Sequence, residues 1–283
     1  MKKFLKLLVA FTAIGSLVSC EATTDDESLP APVDASKIDI SVTADATNLV
    51  TMKNNTPATI AYWEYKDAAG NLMGTSNLNE AKVMFPFKGT YNVFFTAYSK
   101  GGAVEAEPVS ITLENTNEAY FTASEWEMLS HKVEGKTWVV DMSSPIGWAG
   151  LDYPYNPSGS DAWSWLPTYA EASWAMADKN WGEMTFNLDG AYNVSVTQTA
   201  LNDNTQTTKT GTFSFDIAKH KMKFNGGVEM LYGGDYHPDC SDWTTLNVVE
   251  LTDTSMRLAV IRDQSRTGEG KCQIVFHFRP KQQ

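Results

Sequence analysis

The sequence has few of the residues and motifs that most directly indicate a chemical function. Only three of its 283 residues are cysteine and four are histidine. No CxxC or HExxH pattern occurs, so nothing predicts a structural zinc site. No GxSxG pattern occurs either, so nothing predicts the nucleophile of a serine hydrolase. We therefore predict neither a metal nor any other cofactor.

Basic charge and long apolar runs are also scarce. The chain carries 34 acidic and 22 basic residues, which gives a formal net charge of −12. Such a surface repels phosphate backbones, so nucleic acid is not expected as a partner. A neutral or cationic ligand fits this charge better. The apolar run at residues 7–14 is too short to span a bilayer as a helix.

The first twenty residues combine a basic head, that short apolar run and a final Leu-Val-Ser-Cys. This pattern resembles a bacterial lipoprotein signal, with an ordinary secretory signal as the alternative. The resemblance implies that residues 1–19 are removed and that Cys20 is lipidated, which anchors the protein in the outer membrane. Removal of the three lysines in that segment would take the net charge from −12 to −15.

Residues 20–37 are acidic, contain proline and have few apolar side chains. That composition predicts a disordered tether. Glu21 and the acidic run 25–27 resemble the surface-export signal of lipoproteins in the Bacteroidetes. The resemblance implies exposure on the cell surface, and anchoring that faces the periplasm is the alternative.

Residues 38–114 contain repeated short alternating runs, which predict a small antiparallel β-sandwich. The stretches TIAYWEYKDAAGN and VMFPFKGTYNVFFTAYSKGGAVEAEPVSITL resemble PKD-type immunoglobulin-like modules. The resemblance implies a spacer or adhesion role, with Trp63 and Tyr91 in the core. Residues 115–134 form a linker in which Ser/Thr followed by Glu predicts a short helix, with Trp126 as its buried anchor.

Residues 135–283 contain eight strand-like segments joined by turns, which predict consecutive antiparallel strands. Eight such strands can close into a meander barrel, and a two-sheet jelly roll is the alternative. The Gly-Lys-x-Trp start at residues 135–138 resembles lipocalin-type domains. The whole chain is therefore predicted to be all-β. Cys240 and Cys272 form an even pair in an exported protein, which predicts a disulfide that staples the 232–243 loop, with two free thiols as the alternative.

The segment 147–182 holds five of the nine tryptophans among turn-forming residues. Flat aromatic rings can stack on sugar C–H faces, and nearby carboxylates can bond sugar hydroxyls. We expect Trp138, Trp181 and Trp243 to be core residues and Trp174 to seal the barrel end. The predicted ligand-binding residues are Trp148, Asp152, Tyr153, Tyr155, Asp161, Trp163, Trp165 and Tyr236.

The complete arrangement resembles a Bacteroidetes surface glycan-binding lipoprotein from a polysaccharide-utilisation system. That resemblance implies capture of a glycan, without cleavage, for a neighbouring importer. Two alternatives remain open. One is a glycoside hydrolase or lyase, and the other is a purely adhesive or structural envelope lipoprotein. The carboxylates available to a hydrolase are Asp152, Asp161, Glu171, Glu183, Asp235 and Asp239.

Overall fold

A computed structural model describes residues 29–282. The expected signal peptide, Cys20 and the first part of the expected tether lie outside these residues. Residues 29–37, the remainder of that segment, contain one turn of 3₁₀ helix at Ala35–Lys37. Within the described range, no helix has both the length and the apolar character needed to cross a bilayer.

The first unit is a small sandwich of two antiparallel sheets. Its strands are β1 (Ile40–Ala44), β2 (Leu49–Asn54), β3 (Ile60–Asp67), β4 (Leu72–Ser76), β5 (Glu80–Met84), β6 (Gly89–Ser99), β7 (Gly102–Glu105) and β8 (Val109–Leu113). One sheet has the order β1-β2-β5, and the other has the order β4-β3-β6-β7, with β8 also paired to β6. Strands β7 and β8 pair with opposite ends of the long strand β6.

Side chains from both sheets fill the space between them. Trp63 is fully buried, its ring lies 4.4 Å from that of Phe95, and its indole N–H donates to the carbonyl of Leu78 at 2.9 Å. Tyr91 stacks on Phe85, and its hydroxyl donates to the carbonyl of Phe87. The core positions expected for Trp63 and Tyr91 are confirmed.

A short helix, α1 (Ser124–Ser130), joins the two units. Its N-cap is Ala123, which makes no side-chain cap hydrogen bond, so the expected capping interaction is wrong although the helix exists. Trp126 and Leu129 are buried, as expected for the tryptophan. The carbonyl of Leu129 accepts a hydrogen bond from the indole of Trp138 at 2.8 Å, which ties α1 to the barrel.

The second unit is a closed eight-stranded antiparallel barrel. Consecutive strands pair in sequence, and pairing of the last strand with the first closes the ring. The jelly-roll alternative is therefore wrong. The barrel strands are β9 (Lys136–Val140), β12 (Gly182–Asn187), β13 (Asn193–Thr199), β14 (Gln206–Asp216), β15 (Lys221–Asn225), β16 (Thr245–Leu251), β17 (Met256–Arg262) and β18 (Cys272–Pro280). Outside the ring lie β10 (Ile146–Ala149), β11 (Ser164–Trp165) and α2 (Tyr169–Ala172).

Alternate side chains of the barrel strands point inward and form one continuous core. Trp138, Phe186, Phe224, Phe276 and Phe278 are among the largest of these side chains, and all are almost completely buried. The interior of the barrel is therefore filled by side chains, and the clefts of this unit lie on its outer surface.

The two ends of the barrel differ in what they carry. At one end, α1 packs near short turns, and Lys136 donates to the carbonyls of Met128 and Asp253. Phe87 of the sandwich joins the barrel core at this end, with its ring 4.9 Å from that of Tyr192. The strand register places the long segments 150–181, 226–244 and 263–271 at the opposite end. The long loops therefore lie away from the sandwich.

Candidate functional site

A two-stranded ribbon projects from the rim of the barrel at the long-loop end. The edge of β18 is shared, because β9 pairs with residues 278–280 and β10 pairs with residues 273–276. Strand β11 then pairs with β10 beyond the ring, and Trp148 and Trp165 lie directly opposite each other. Their rings stack with centroids 5.2 Å apart and planes at 19°, as expected for cross-strand aromatic neighbours.

Trp174 extends this aromatic group. It follows α2, whose start is fixed by a capping box between Thr168 and Glu171. Its ring is nearly parallel to that of Trp148, with centroids 5.7 Å apart and planes at 8°. Trp174 is 67% exposed, whereas Trp148 is only 7% exposed. The expectation that Trp174 seals the barrel end is wrong, because Met176 and Trp181 are the buried residues that follow it.

Trp163 is the fourth indole of the group. It is 49% exposed, and its indole N–H donates to a carboxylate oxygen of Asp161 at 2.7 Å. Trp165 is 45% exposed. Three half-exposed or largely exposed indoles thus surround one buried indole. A contiguous exposed aromatic patch of this kind is uncommon on a soluble protein without a partner.

These indoles form one side of an open cleft of about 580 Å³, which we call the tryptophan cleft. The other side comes from the 3₁₀ turn His237–Asp239 with the residues before it, and from the β17–β18 hairpin. The ring of Tyr236 meets Trp148 edge-on at 5.7 Å. The cleft is lined by Trp148, Trp163, Trp165, Trp174, Asp235, Tyr236, Asp239, Arg262, Arg266, Thr267 and Glu269.

Ion pairs and hydrogen bonds organise the charged side of the cleft. Arg266 Nε donates to Asp239 Oδ1 at 2.6 Å, and Arg266 Nη2 donates to the carbonyl of Asp235 at 2.6 Å. Asp239 is itself buried. Arg262 Nη2 donates to the carbonyl of Gly270 at 2.9 Å, and its Nη1 lies 3.8 Å from Glu269 Oε2.

Glu269 remains ionised across the neutral and mildly acidic range. Hydrogen bonds from the hydroxyls of Ser265 and Thr267 lower the pKa of its carboxyl to about 2. A general acid in glycoside hydrolysis needs a raised pKa, so that it holds a proton near neutral pH. Glu269 therefore accepts hydrogen bonds and is poorly suited to donate a proton.

The predicted disulfide between Cys240 and Cys272 is wrong in this structure, where both thiols are free and buried. Both side chains pack in the barrel core as apolar groups. Burial, with Asp263 and Asp239 nearby, raises the pKa of the Cys240 thiol to about 12.

Polar contacts attach the 232–243 loop to the barrel rim in place of the disulfide. Arg266 pairs with Asp239, and Asp263 accepts from the backbone N–H of Ser241 at 2.8 Å. The backbone N–H groups of Asp263 and Gln264 both donate to the carbonyl of Asp239. The loop is therefore held at the rim, as predicted, by a different chemistry.

Two predicted polar ligands are used inside the 150–163 loop. Asp152 Oδ2 accepts from the backbone N–H of Asp161 at 3.0 Å. Asp161 Oδ2 accepts from the backbone N–H of Leu151 at 2.8 Å, and its other oxygen accepts from Trp163. Neither carboxylate lines the cleft. Their position suits them to shape the loop and to orient Trp163.

Two predicted aromatic ligands cover the outside of the barrel. Tyr153 packs against an outward-facing apolar cluster that includes Val249 and Val275. The hydroxyl of Tyr155 donates to the carbonyl of Val248 at 2.7 Å, and its ring stacks on His220 with centroids 3.7 Å apart. The first half of the aromatic segment is thus a cover for the barrel wall.

The structure brings four of the eight predicted ligand-binding residues into the cleft: Trp148, Trp163, Trp165 and Tyr236. A ligand role for any of them stays a prediction. The sequence analysis did not assign five other lining residues to the site: Trp174, Arg262, Arg266, Thr267 and Glu269. A signal for the last four was available, because a meander puts the β17–β18 hairpin at the same end as the 232–243 loop.

A smaller cavity of about 240 Å³ lies at the barrel mouth beside β13 and β14. Val196 and Met230 contribute buried apolar surface, and Gln198 exchanges hydrogen bonds with the backbone of Tyr232 at 2.9 and 3.1 Å. The ring of Tyr232 packs on Trp243. This cavity therefore lacks the exposed aromatic faces that distinguish the tryptophan cleft.

Asp235, His237 and Asp239 do not form one site, although their spacing in the sequence could suit a metal or an acid–base pair. The two carboxylates lie 3.5 Å and 2.6 Å from the guanidinium group of Arg266. The ring of His237 stacks on Trp243 at 5.1 Å, whereas Asp239 pairs with Arg266. Within residues 29–282, no three His, Cys, Asp or Glu side chains are grouped so that they could hold a metal ion.

A comparison with models of known protein families gives no match to this chain, and a search of curated proteins gives none either. The function is therefore argued from the geometry of the cleft.

Proposed function

We propose that this protein binds polysaccharide or oligosaccharide in the tryptophan cleft and does not cleave it. The observation that carries the proposal is the exposure of Trp163, Trp165 and Trp174 around one open cleft. Indole faces bury large apolar area with few rotatable bonds to freeze, which suits stacking on the C–H faces of sugar rings.

The polar groups of the cleft complement a sugar. Carboxylates accept hydrogen bonds only, so the exposed oxygens of Asp235 and Glu269 can receive sugar hydroxyl protons. The hydroxyl of Thr267 donates to Glu269, and its oxygen can accept a hydrogen bond from a sugar hydroxyl. An aromatic side and a hydrogen-bonding side facing one cleft are the two elements that saccharide recognition needs.

Binding without cleavage is favoured over hydrolysis by the state of the carboxyl groups. Hydrolysis needs two carboxyl groups flanking the bond, one of them with a raised pKa. Here Glu269 has a lowered pKa, and Asp239 is held by Arg266. Glu171 is committed to the cap of α2, where Thr168 lowers the pKa of its carboxyl.

The proposed setting is the outer-membrane surface, with the chain anchored through a lipid on Cys20. The cleft lies at the barrel end away from Phe87 and the sandwich, so a glycan could reach it above the membrane. We propose that captured glycan passes to neighbouring importer proteins. The sequence features at residues 1–27 support this setting.

The test uses the full mature chain, because Phe87 of the sandwich contributes to the barrel core. The protein is run through native gels that contain single glycans from a neutral and acidic panel. Reducing ends are assayed in parallel. Retarded mobility with no released oligosaccharide is expected. Released oligosaccharide would favour the hydrolase, and unretarded mobility on every glycan would reject binding.

A further inference from the structure

We infer that the tryptophan cleft selects saccharides without acidic groups, so that neutral and amino sugars bind and uronates are rejected. This inference rests on the proposed glycan-binding function and adds the chemical class of the ligand. The inference depends on whether the arginines of the cleft are available to bind an anion.

Both guanidinium groups in the cleft are already engaged. Arg266 donates hydrogen bonds from its Nε to the buried carboxylate of Asp239 and from its Nη2 to the carbonyl of Asp235. Arg262 is 12% exposed at its side chain, and it donates to the carbonyl of Gly270 while it faces Glu269. The carboxylate of Asp235 also lies 3.5 Å from Arg266 Nη2, so each guanidinium group faces internal carboxylate charge. An incoming carboxylate or sulfate would have to compete with these carboxylates for either arginine.

The two most exposed charged side chains of the cleft are carboxylates, whereas that of Arg266 is 46% exposed. The side chain of Asp235 is 75% exposed and that of Glu269 is 54% exposed. Across the lining residues, three carboxylates meet two guanidinium groups, which leaves a formal net charge of −1. The wider surface does not offset this charge, since the whole chain carries −12.

This charge pattern sets what the ligand must present. A sugar hydroxyl or an ammonium group donates hydrogen bonds to a carboxylate, whereas the carboxylate of a uronate or a sulfate group can only accept them. Like charges placed together across an interface weaken binding and suppress the wrong partner. We expect at least a tenfold weaker affinity for an acidic glycan than for a neutral glycan with the same backbone. Added salt should narrow the difference, because it screens exposed charges.

The test compares matched polymers on the full mature chain by affinity electrophoresis and calorimetry. The pairs are hydroxyethyl cellulose with carboxymethyl cellulose, and methyl-esterified with de-esterified homogalacturonan, each at low and high salt. Chitosan oligosaccharides supply the cationic case. In any pair that binds, the neutral member should bind at least tenfold more tightly than the acidic member. The same should hold for chitosan if the cleft accepts its backbone.

Asp235→Asn tests whether the cleft itself sets this preference. Asp235 is highly exposed, so the variant should fold, and it should reduce the neutral-to-acidic ratio severalfold at low salt. Asp189→Asn is the matched control, because it makes the same charge change on the β12–β13 hairpin at the other end of the barrel. An equal fall in the ratio with both variants would show that net charge alone acts, and would overturn the assignment to the cleft.

The two proposals fail in different ways. If acidic and neutral members bind equally and retention is lost in Trp165→Ala, glycan binding stands and the charge selectivity is wrong. If no polymer in the full panel is retained, glycan binding itself is wrong and the selectivity falls with it.

Discussion

Replacing Trp174 by alanine should weaken ligand binding and leave the fold intact. Trp174 is 67% exposed and follows a helix whose cap does not involve its ring. Surface substitutions away from special features usually change the free energy of unfolding by about 0.5 kcal/mol or less. For a domain of this size that corresponds to a shift of roughly 1–2 °C in melting temperature.

Trp148→Ala, in contrast, should destabilise the fold. Trp148 is 7% exposed and belongs to the barrel core. Truncation of a buried tryptophan to alanine costs about 3–5 kcal/mol. At about 2–4 °C per kcal/mol, the melting temperature of the barrel should fall by roughly 6–20 °C. The two tryptophans touch each other, so this contrast separates binding from packing within one aromatic group.

The assay pairs thermal unfolding, followed by near-ultraviolet circular dichroism, with affinity for the best glycan of the panel. Loss of a stacking anchor is worth about 2 kcal/mol, or roughly 30-fold in Kd, so Trp174→Ala should weaken binding by that order. Tyr98→Ala, an exposed change in the sandwich, is the control. A large fall in melting temperature for Trp174→Ala with unchanged affinity would refute the binding role and support a purely structural one.

Three further predictions concern the rest of the molecule. Cys240 and Cys272 are free and buried, so a thiol reagent should label them only after denaturation. Rapid labelling of the native protein would contradict this prediction. So would a failure of the reagent to label these two thiols after denaturation without reductant. Burial, followed by the nearby Arg257, lowers the pKa of His277 below its usual 6.5. The unfolded chain therefore binds a proton below about pH 6.5 that the folded chain does not, so the free energy of unfolding should fall as the pH drops from 6.5. In denaturant titrations at several pH values, His277→Gln should lack this contribution to the pH dependence of the unfolding free energy. An equal pH dependence in the variant and the wild type would refute this role of His277. Phe87 packs in the barrel core, so Phe87→Ala should lower the free energy of unfolding by about 3–5 kcal/mol. In calorimetry, the sandwich and the barrel of this variant should unfold in separate transitions. An unchanged calorimetric profile would show that the contact between the two units does not contribute to stability.

Strand order in the barrel could be predicted because local signals were unambiguous. Alternating apolar residues marked each strand, and the Asp189-Gly190 pair marked the tight β12–β13 hairpin, where Gly190 adopts a positive φ of 72°. Turns between most neighbouring strands then predicted consecutive antiparallel pairing. The strand count allowed closure by β9 and β18 but left the jelly roll as an alternative, and the pairing of those two strands decides between them.

The aromatic segment was harder to predict because composition does not tell which way a ring faces. Tyr155 is anchored by a hydrogen bond to Val248, a residue 93 positions away, which no local pattern indicates. Trp174 follows a four-residue helix and is exposed, although it was expected to seal the barrel end. Asp152 and Asp161 satisfy loop backbone groups, which is a common use of aspartate in turns.

The central claim is that the indoles of Trp163, Trp165 and Trp174 meet a saccharide, and indole N–H spectroscopy tests it most directly. A tryptophan-labelled sample should give a resolved signal for each of the nine indoles, assigned by single substitutions. On titration with the glycan best retained in the panel, the signals of these three should shift or broaden, and those of the buried Trp63 and Trp138 should not. Signals of the three cleft tryptophans that stay fixed at saturating glycan would contradict the account.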